Sequence, residues 1–242
     1  MEERDIMISR LSDLAKRRDD GNYCTFSPFL TPDLFGDAKA NGKAILWGGY
    51  DEAERCMAVF LPDYMAAEDV QWPISLIIVS PTDKKTYSHR DYLGSLMSLG
   101  IKRQVLGDII VDGNKAYLFC QDTIEDFIMD NLTHIAGATC KTEKAQSFDI
   151  LPERKFENVG GSAASERLDC IVALATRTSR TKAAEFIAGG SVTVSGRETT
   201  KTTCILKQGD RFSVRGKGKF IYDGAEGVTR KGRMLVKIRK YI

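Results

Sequence analysis

The order of apolar segments between residues 74 and 145 is the feature that most restricts the fold. Residues 74–80 (ISLIIVS) are a continuous apolar run of strand length and read as a buried strand. Residues 89–99 carry Tyr92, Leu93, Leu96, Met97 and Leu99 at helical spacing, with Gly100 where a C-cap would stand. Residues 105–111 and 116–120 are short apolar strands, and Asp112-Gly113 between them is a hairpin signal. Residues 124–135 predict a second helix, with Ile124, Phe127, Ile128 and Ile135 apolar and Gly137 after it, and 139–145 predicts a closing strand. Strand, helix, hairpin, helix, strand is the split β-α-β order of ferredoxin-like folds. RNA-recognition domains, enzymes and small-molecule binders all share that topology, so it restricts architecture and leaves function open.

The flanks add smaller elements. Residues 5–18 place Ile6, Met7, Leu11, Leu14 and Ala15 on one helical face. Thr31 reads as an N-cap, with Pro32 at the first position of a short helix reaching Ala40. Residues 44–50 and 55–61 predict a hairpin connected by 51–54. Residues 147–164 hold Pro152, Gly160 and Gly161 with few apolar positions, as a linker would. Beyond them, 166–176 predicts a helix burying Leu168, Ile171, Val172 and Ala175. Ser179 is placed to cap a second helix whose Ala183, Ala184 and Ile187 face the core. Gly189 and Gly190 end it, residues 191–195 alternate as a strand, and Gly196 suits a tight turn. Strand-like segments follow at 203–206, 212–214 and 235–238. The expected α+β chain has an N-terminal helical segment (1–43), a ferredoxin-like, RRM-like body (44–146), a linker (147–164) and a small C-terminal domain (165–242) of two helices plus strands.

Charge divides the chain at the same place. The net charge of +2 is a cancellation: residues 1–165 carry −8 and residues 166–242 carry +10. Such asymmetry suggests a basic module for a polyanion beside an acidic body. The longest charge-free run, 70–82, is too short to span a bilayer, and the charged first twenty residues lack the apolar core of a signal peptide. Cys24, Cys56, Cys120, Cys140, Cys170 and Cys204 stand far apart with two histidines in the whole chain, which argues against a zinc cluster and fits reduced thiols. A cytoplasmic location without membrane or cofactor is therefore expected.

The cations of the basic part fall in two clusters. Arg177, Arg180 and Lys182 stand at the start of the second helix, where backbone N–H groups favour phosphate. Arg215, Lys217 and Lys219 are spaced by glycines, and an extended chain would put all three on one side. Together they read as an RNA footprint.

The run 165–220 resembles the S-four-type RNA-binding domain, the alpha-L motif. The matching residues are Arg167-Leu168-Asp169, Ser179-Arg180, Ala183, Ile187, Gly190, Val192, Val194, Gly196, Lys201, Gly209-Asp210 and Val214-Arg215-Gly216-Lys217-Gly218. Ser195 departs from the Asn usual before that turn glycine. The resemblance implies an RNA-binding face built from Arg167, Ser179, Arg180, Lys182, Arg197, Lys201, Arg215 and Lys217, to which the two cation clusters add Arg177 and Lys219. Further motifs are Trp47-Gly48-Gly49-Tyr50 with Glu52 and Glu54-Arg55, then His89-Arg90-Asp91-Tyr92-Leu93-Gly94, Leu99-Gly100-Ile101-Lys102-Arg103 and Gly107-Asp108-Ile109. With these the chain is similar to the bacterial YlmH family, which also has cyanobacterial and plastid relatives. That likeness implies an RNA-binding domain ahead of the S-four-type domain, and ribosomal RNA, tRNA and the large ribosomal subunit as partners, with rescue of stalled ribosomes among the roles. Lys102 and Arg103 are secondary candidates for RNA contact.

Enzyme readings are weaker. His89-Arg90-Asp91 has Leu96 where a kinase catalytic loop needs Asn, and no Gly-rich phosphate loop precedes it. Arg167-Leu168-Asp169 lacks the Thr-Ser-Gly context of a pseudouridine synthase, and no G-x-G-x-x-G follows a strand. The expectation is a non-enzymatic RNA-binding protein with no small-molecule substrate; the alternative is an RNA-modifying enzyme (pseudouridine synthase or methyltransferase type) targeted by the basic module.

Overall fold

The computed structural model describes residues 3–42, 44–51, 53–152 and 156–242. The chain divides into two compact units, Met1–Pro152 and Glu153–Ile242.

In the first unit, α1 (Glu3–Gly21) buries Leu11 and Ala15 and leaves most of its charged residues to solvent, Arg18 being largely covered and donating to the Leu61 carbonyl. β1 (Thr25–Phe26) follows, then a 3-10 turn (Pro32–Leu34) leading into α2 (Phe35–Ala40). Thr31 has the extended backbone of a cap residue, but its side chain makes no capping hydrogen bond. The predicted hairpin is β2 (Ala44–Trp47) and β3 (Met57–Phe60), with Trp47 opposite Met57; Glu52, in its connection, lies outside the described residues. β1 pairs the other edge of β3, and this small sheet packs Ala58 and Phe60 against Leu11, Ala15, Leu34 and Ala38. One side of the hairpin thus packs on the N-terminal helices, while Met57 and Trp47 pack on the body that follows.

That body is β4 (Ile74–Pro81), α3 (His89–Ser98), β5 (Leu106–Asp112), β6 (Lys115–Gln121), α4 (Glu125–Asn131), β7 (His134–Ile135) and β8 (Ala138–Lys144). Its antiparallel sheet runs β5-β6-β4-β8-β7, the ferredoxin-like order with one short strand added. His89-Arg90-Asp91 is a helix start: the Asp91 carboxylate accepts from the Ser88 N–H (2.7 Å) and hydroxyl (2.8 Å), which holds its pKa below the ordinary value. The second helix corrects the sequence reading. It ends at Asn131 rather than reaching Ile135, and Ile135 is buried from a strand. Ala136 (φ 46°) and Gly137 (φ 90°) form the two-residue turn from β7 to β8, so the glycine taken for a helix end closes a hairpin.

Alternation along the strands gives the sheet two apolar faces. Ile77, Val79, Leu118 and Cys120 meet Tyr92, Leu96 and Ile128 of the helices. Leu76 and Phe119, on the opposite face, meet Phe29 and Met57, with Trp47, Tyr50, Phe148 and Leu151 packed around them. In RNA-recognition domains aromatic residues on that open face stack bases. Here it is a packing surface.

The second unit begins inside the stretch expected as a linker. Residues 147–164 contain β9 (Phe156–Asn158) and β10 (Gly161–Ala163), both paired with β15 (Met234–Tyr241); residues 153–155 lie outside the described residues. Next come α5 (Leu168–Ala175), α6 (Arg180–Ala188), β11 (Val192–Val194), β12 (Arg197–Glu198), β13 (Arg211–Val214) and β14 (Gly218–Val228). The sheet order is β10-β15-β14-β13-β11-β12. Leu168, Ile171, Val172, Ala183 and Ile187 of the helices pack on Phe212, Phe220, Tyr222 and Ile238. Ser179 caps α6 by accepting from the Lys182 N–H at 3.2 Å. Ser195 (φ 48°) and Gly196 (φ 79°) make the β11–β12 turn, so serine serves where Asn is usual. Residues 203–206 form no strand and contribute one isolated bridge, Arg167 to Ile205.

Candidate nucleic-acid interface

The first unit uses its motif residues to hold itself together. Asp108, at 8% exposure, accepts from the Tyr50 hydroxyl (2.6 Å) and from the backbone N–H groups of Glu54 (2.7 Å) and Arg55 (3.1 Å). Arg55 in turn donates to the carbonyls of Leu106 (3.0 Å), Phe29 (3.0 Å) and Arg103 (3.3 Å). Burial, with the nearby Arg103 charge, brings the Arg55 pKa down to about 10. The glycines permit this clasp. A Cβ on Gly48 would stand 2.3 Å from the Arg55 carbonyl oxygen, and one on Gly49 (φ 99°) 2.4 Å from the Phe119 ring. A Cβ on Gly107 would press on Phe119 and Phe29 at 2.8 Å. Arg103, a candidate RNA contact from the sequence, donates to the carbonyls of Leu106 (2.9 Å) and Gly107 (3.0 Å), so its guanidinium supports the clasp; Lys102 beside it is exposed.

Glu125, Cys120 and Cys140 are likewise engaged or inert. Glu125 accepts from Ser75 and pairs with Lys144 at 2.8 Å. Burial pushes the Cys120 thiol up to about 12 and raises Cys140 as well, so neither is a ready thiolate. Two grooves of about 520 and 360 Å³ flank residues 61–63, the larger lined by Arg18, Asp19 and Asp63 among others and the smaller mostly by apolar residues with Asp63. Among the described residues no helix is long and apolar enough to cross a membrane.

The second unit leaves its cations nearer the surface. Asp169, 4% exposed at the start of α5, is the hub of the helix face. Arg167 reaches it at 3.0 and 3.2 Å, and Arg180 at 2.8 and 2.9 Å. Burial alone would raise the Asp169 pKa, but hydrogen bonds and charge from the two arginines outweigh it and hold the carboxyl below its ordinary value. This aspartate, met in the sequence as a distant echo of a catalytic one, is an anchor that orients two guanidiniums. The Arg180 side chain stays 54% exposed, so its outer edge still faces solvent.

The glycine-spaced cations are arranged differently from the sequence expectation. The chain reverses between β13 and β14, where Val214 pairs with Gly218 and the Lys217 N–H donates to the Val214 carbonyl at 2.9 Å. Arg215, Lys217 and Lys219 therefore surround a hairpin turn rather than one side of an extended strand. The turn carries Lys217 to a cleft of about 130 Å³ that it lines with Arg177 and Lys240 above Val159 and Ala175. Arg177, in the left-handed region at φ 52°, and Lys240 share Glu157, at 2.9 and 3.8 Å. Lys182 pairs with Glu185 at 2.6 Å. Arg197 and Lys201 lie exposed on β12 and the loop after it, and Lys219 is on β14 opposite Ser213. Sequence reading missed Lys240 and Glu157, because the pairing of β9 with β15 that brings them beside Arg177 joins distant segments.

A ferredoxin-like unit bound to a small N-terminal sheet, followed by a separate two-helix unit with converging cations, is the class of protein this arrangement defines. Residues 68–149 match the family model described as "Putative RNA-binding domain in YlmH". The chain is 32% identical over 191 residues to "Ribosome-associated protein quality control protein P2" of Bacillus subtilis (strain 168), covering 78% of this chain and 74% of that protein. It also superposes on the solved structure of "Cell division protein ylmH from Streptococcus pneumoniae", with a TM-score of 0.53 and 20% identity over 63% of this chain and 97% of that one. The chain belongs to the YlmH family.

Proposed function

We propose that the protein is a non-enzymatic RNA-binding protein of the cytoplasm that associates with the large ribosomal subunit and contacts ribosomal RNA, tRNA or both. The second unit acts in this reading as an S-four-type domain, its α5–α6 pair and following strands being the alpha-L arrangement. The observation that carries the proposal is the meeting of Arg177, Lys217 and Lys240, from three separate elements, in one cleft of the basic unit, where they outnumber the single carboxylate, Glu157, that Arg177 and Lys240 share. Convergent cations on a folded scaffold bind phosphate, and phosphate contacts supply most of the affinity for a nucleic-acid backbone. The name of the Bacillus subtilis relative directs the choice of RNA toward the ribosome. Arg167 and Arg180, aligned on Asp169, with Ser179, Lys182, Arg197, Lys201 and Arg215, are further candidate contacts of this unit, whereas Lys219, next to the core residue Phe220 and opposite Ser213, points to the side of the sheet away from the helices.

The test is a pair of substitutions, Arg177→Asn with Lys217→Gln, chosen because Asn tolerates a positive φ and both side chains are at the surface. Affinity for ribosomal RNA and for tRNA should fall, and the log–log salt slope should shrink by about 0.7 to 0.9 for each phosphate contact removed. Co-sedimentation with large subunits should weaken in parallel. Unchanged affinity and slope would remove this cleft from the interface.

A further inference from the structure

The strands β14 and β15 run past the core as a long hairpin. Val236 and Ile238 of β15 point into the core with Leu168 and Ile171, so by alternation Arg233, Leu235, Lys237 and Arg239 face away from the helices. Glycines stand opposite this row: Gly227 across from Leu235 and Gly224 across from Lys237. Apart from its chain neighbours, no described residue comes within 4 Å of where a Gly227 Cβ would be, so the space beside Leu235 is open.

The tip is closed by hydrogen bonds and cationic. Thr229 closes it, its N–H donating to the Arg233 carbonyl (2.7 Å) while its hydroxyl accepts from the Arg233 N–H (3.0 Å) and its carbonyl from the Gly232 N–H (2.9 Å). The turn presents Arg230 and Lys231 to solvent. From Gly227 to Ile242 the sequence has six Lys or Arg and no Asp or Glu; Lys237 and Arg239 pair with Glu226 (3.7 Å) and Asp223 (2.8 Å) on the facing strand, while the apex itself carries Arg230 and Lys231 with no acid beside them in sequence. Val228 and Leu235 are 67% and 45% exposed at the base of this tip. A closed, acid-free turn with cations at its apex and apolar side chains below them matches a nucleic-acid strand, which offers phosphate to the first and sugar and base faces to the second.

We infer that the β14–β15 hairpin is a second RNA-contact surface, separate from the helix-side cleft, with Arg230 and Lys231 on phosphates and Val228 and Leu235 along the strand. It rests on the RNA-binding reading above and adds a second point of attachment to it. Two grips on one rigid unit make release of either one short-lived, since the other holds the strand close.

The full-length protein is titrated with labelled tRNA and with ribosomal-RNA hairpins over a series of salt concentrations. Arg230→Gln with Lys231→Gln is compared with Arg177→Asn with Lys217→Gln, and Arg230→Lys with Lys231→Arg controls for shape. The tip pair should lose affinity at least several-fold, its salt slope should drop by about 1.4 to 1.8 for two contacts, and the charge-preserving pair should bind as wild type. Loss in the cleft pair with none in the tip pair overturns the hairpin surface and leaves the proposed function standing. Loss in the tip pair alone upholds the hairpin and removes the cleft from the proposed interface. A wild-type protein that binds neither RNA overturns both.

Discussion

Arg55 and Arg180 are the same residue put to different uses in the two units. Arg55 gives its guanidinium to three backbone carbonyls and, with Asp108, locks the N-terminal sheet to the ferredoxin-like body. Arg180 turns one edge to a buried aspartate and leaves the rest of a half-exposed group at the surface. An arginine surrounded by carbonyls is consumed by the fold. One aligned by a single carboxylate is oriented and still able to meet phosphate. The comparison teaches that motif residues in the first unit explain its shape, and that cations in the second are the ones placed for a partner.

Substitutions can break this contrast, beginning with the largest effect. Arg55→Met should lower unfolding stability by about 3 kcal/mol, because buried carbonyls lose a charged donor and Asp108 loses its nearby positive charge. Chemical denaturation measures this, and a midpoint like that of wild type would show that the clasp does not hold the first unit. Asp169→Asn should cost less, about 1 to 2 kcal/mol near neutral pH, since its arginines can turn to water. The Asp169 pKa is lower folded than unfolded, so its contribution is present above the unfolded value and lost as pH falls through the folded one. Wild type and Asp169→Asn should therefore converge in stability on acidification, in a pH series of denaturant melts. Lys182→Ala should change stability by no more than about 0.5 kcal/mol, since its partner Glu185 is one helical turn away in solvent. A larger change in the same melts would mean that this surface pair helps hold α6.

Legibility in the sequence followed the range of the interactions involved. The ferredoxin-like order was readable because β4 and β6 bury both faces and α3 alternates at helical period, so local pattern and tertiary role agree. The extra turn of helix assigned up to Ile135 came from an apolar residue buried through a hairpin, where spacing alone cannot separate the two. β9 and β10 were invisible: three residues each, rich in Gly and polar side chains, they exist through a partner strand much later in the chain. The candidate cations were legible as a set, being many and clustered, while their grouping was not. Asp169 dividing its charge between Arg167 and Arg180, and Glu157 between Arg177 and Lys240, are tertiary facts.

The place of β15 in its sheet has a consequence for how the protein is made. It is the last strand in chain order and lies between β10 and β14, with β9 along its edge. Ala163 must wait for Met234, and Asn158 for Arg239, before either finds its pair. During synthesis the first unit can complete its own sheets while the second is still an open chain, because loop closure over such a separation precedes any reward from pairing. The β9–β10 edge of this sheet, and with it the Glu157 and Lys240 side of the cleft, therefore comes together only after β15 emerges.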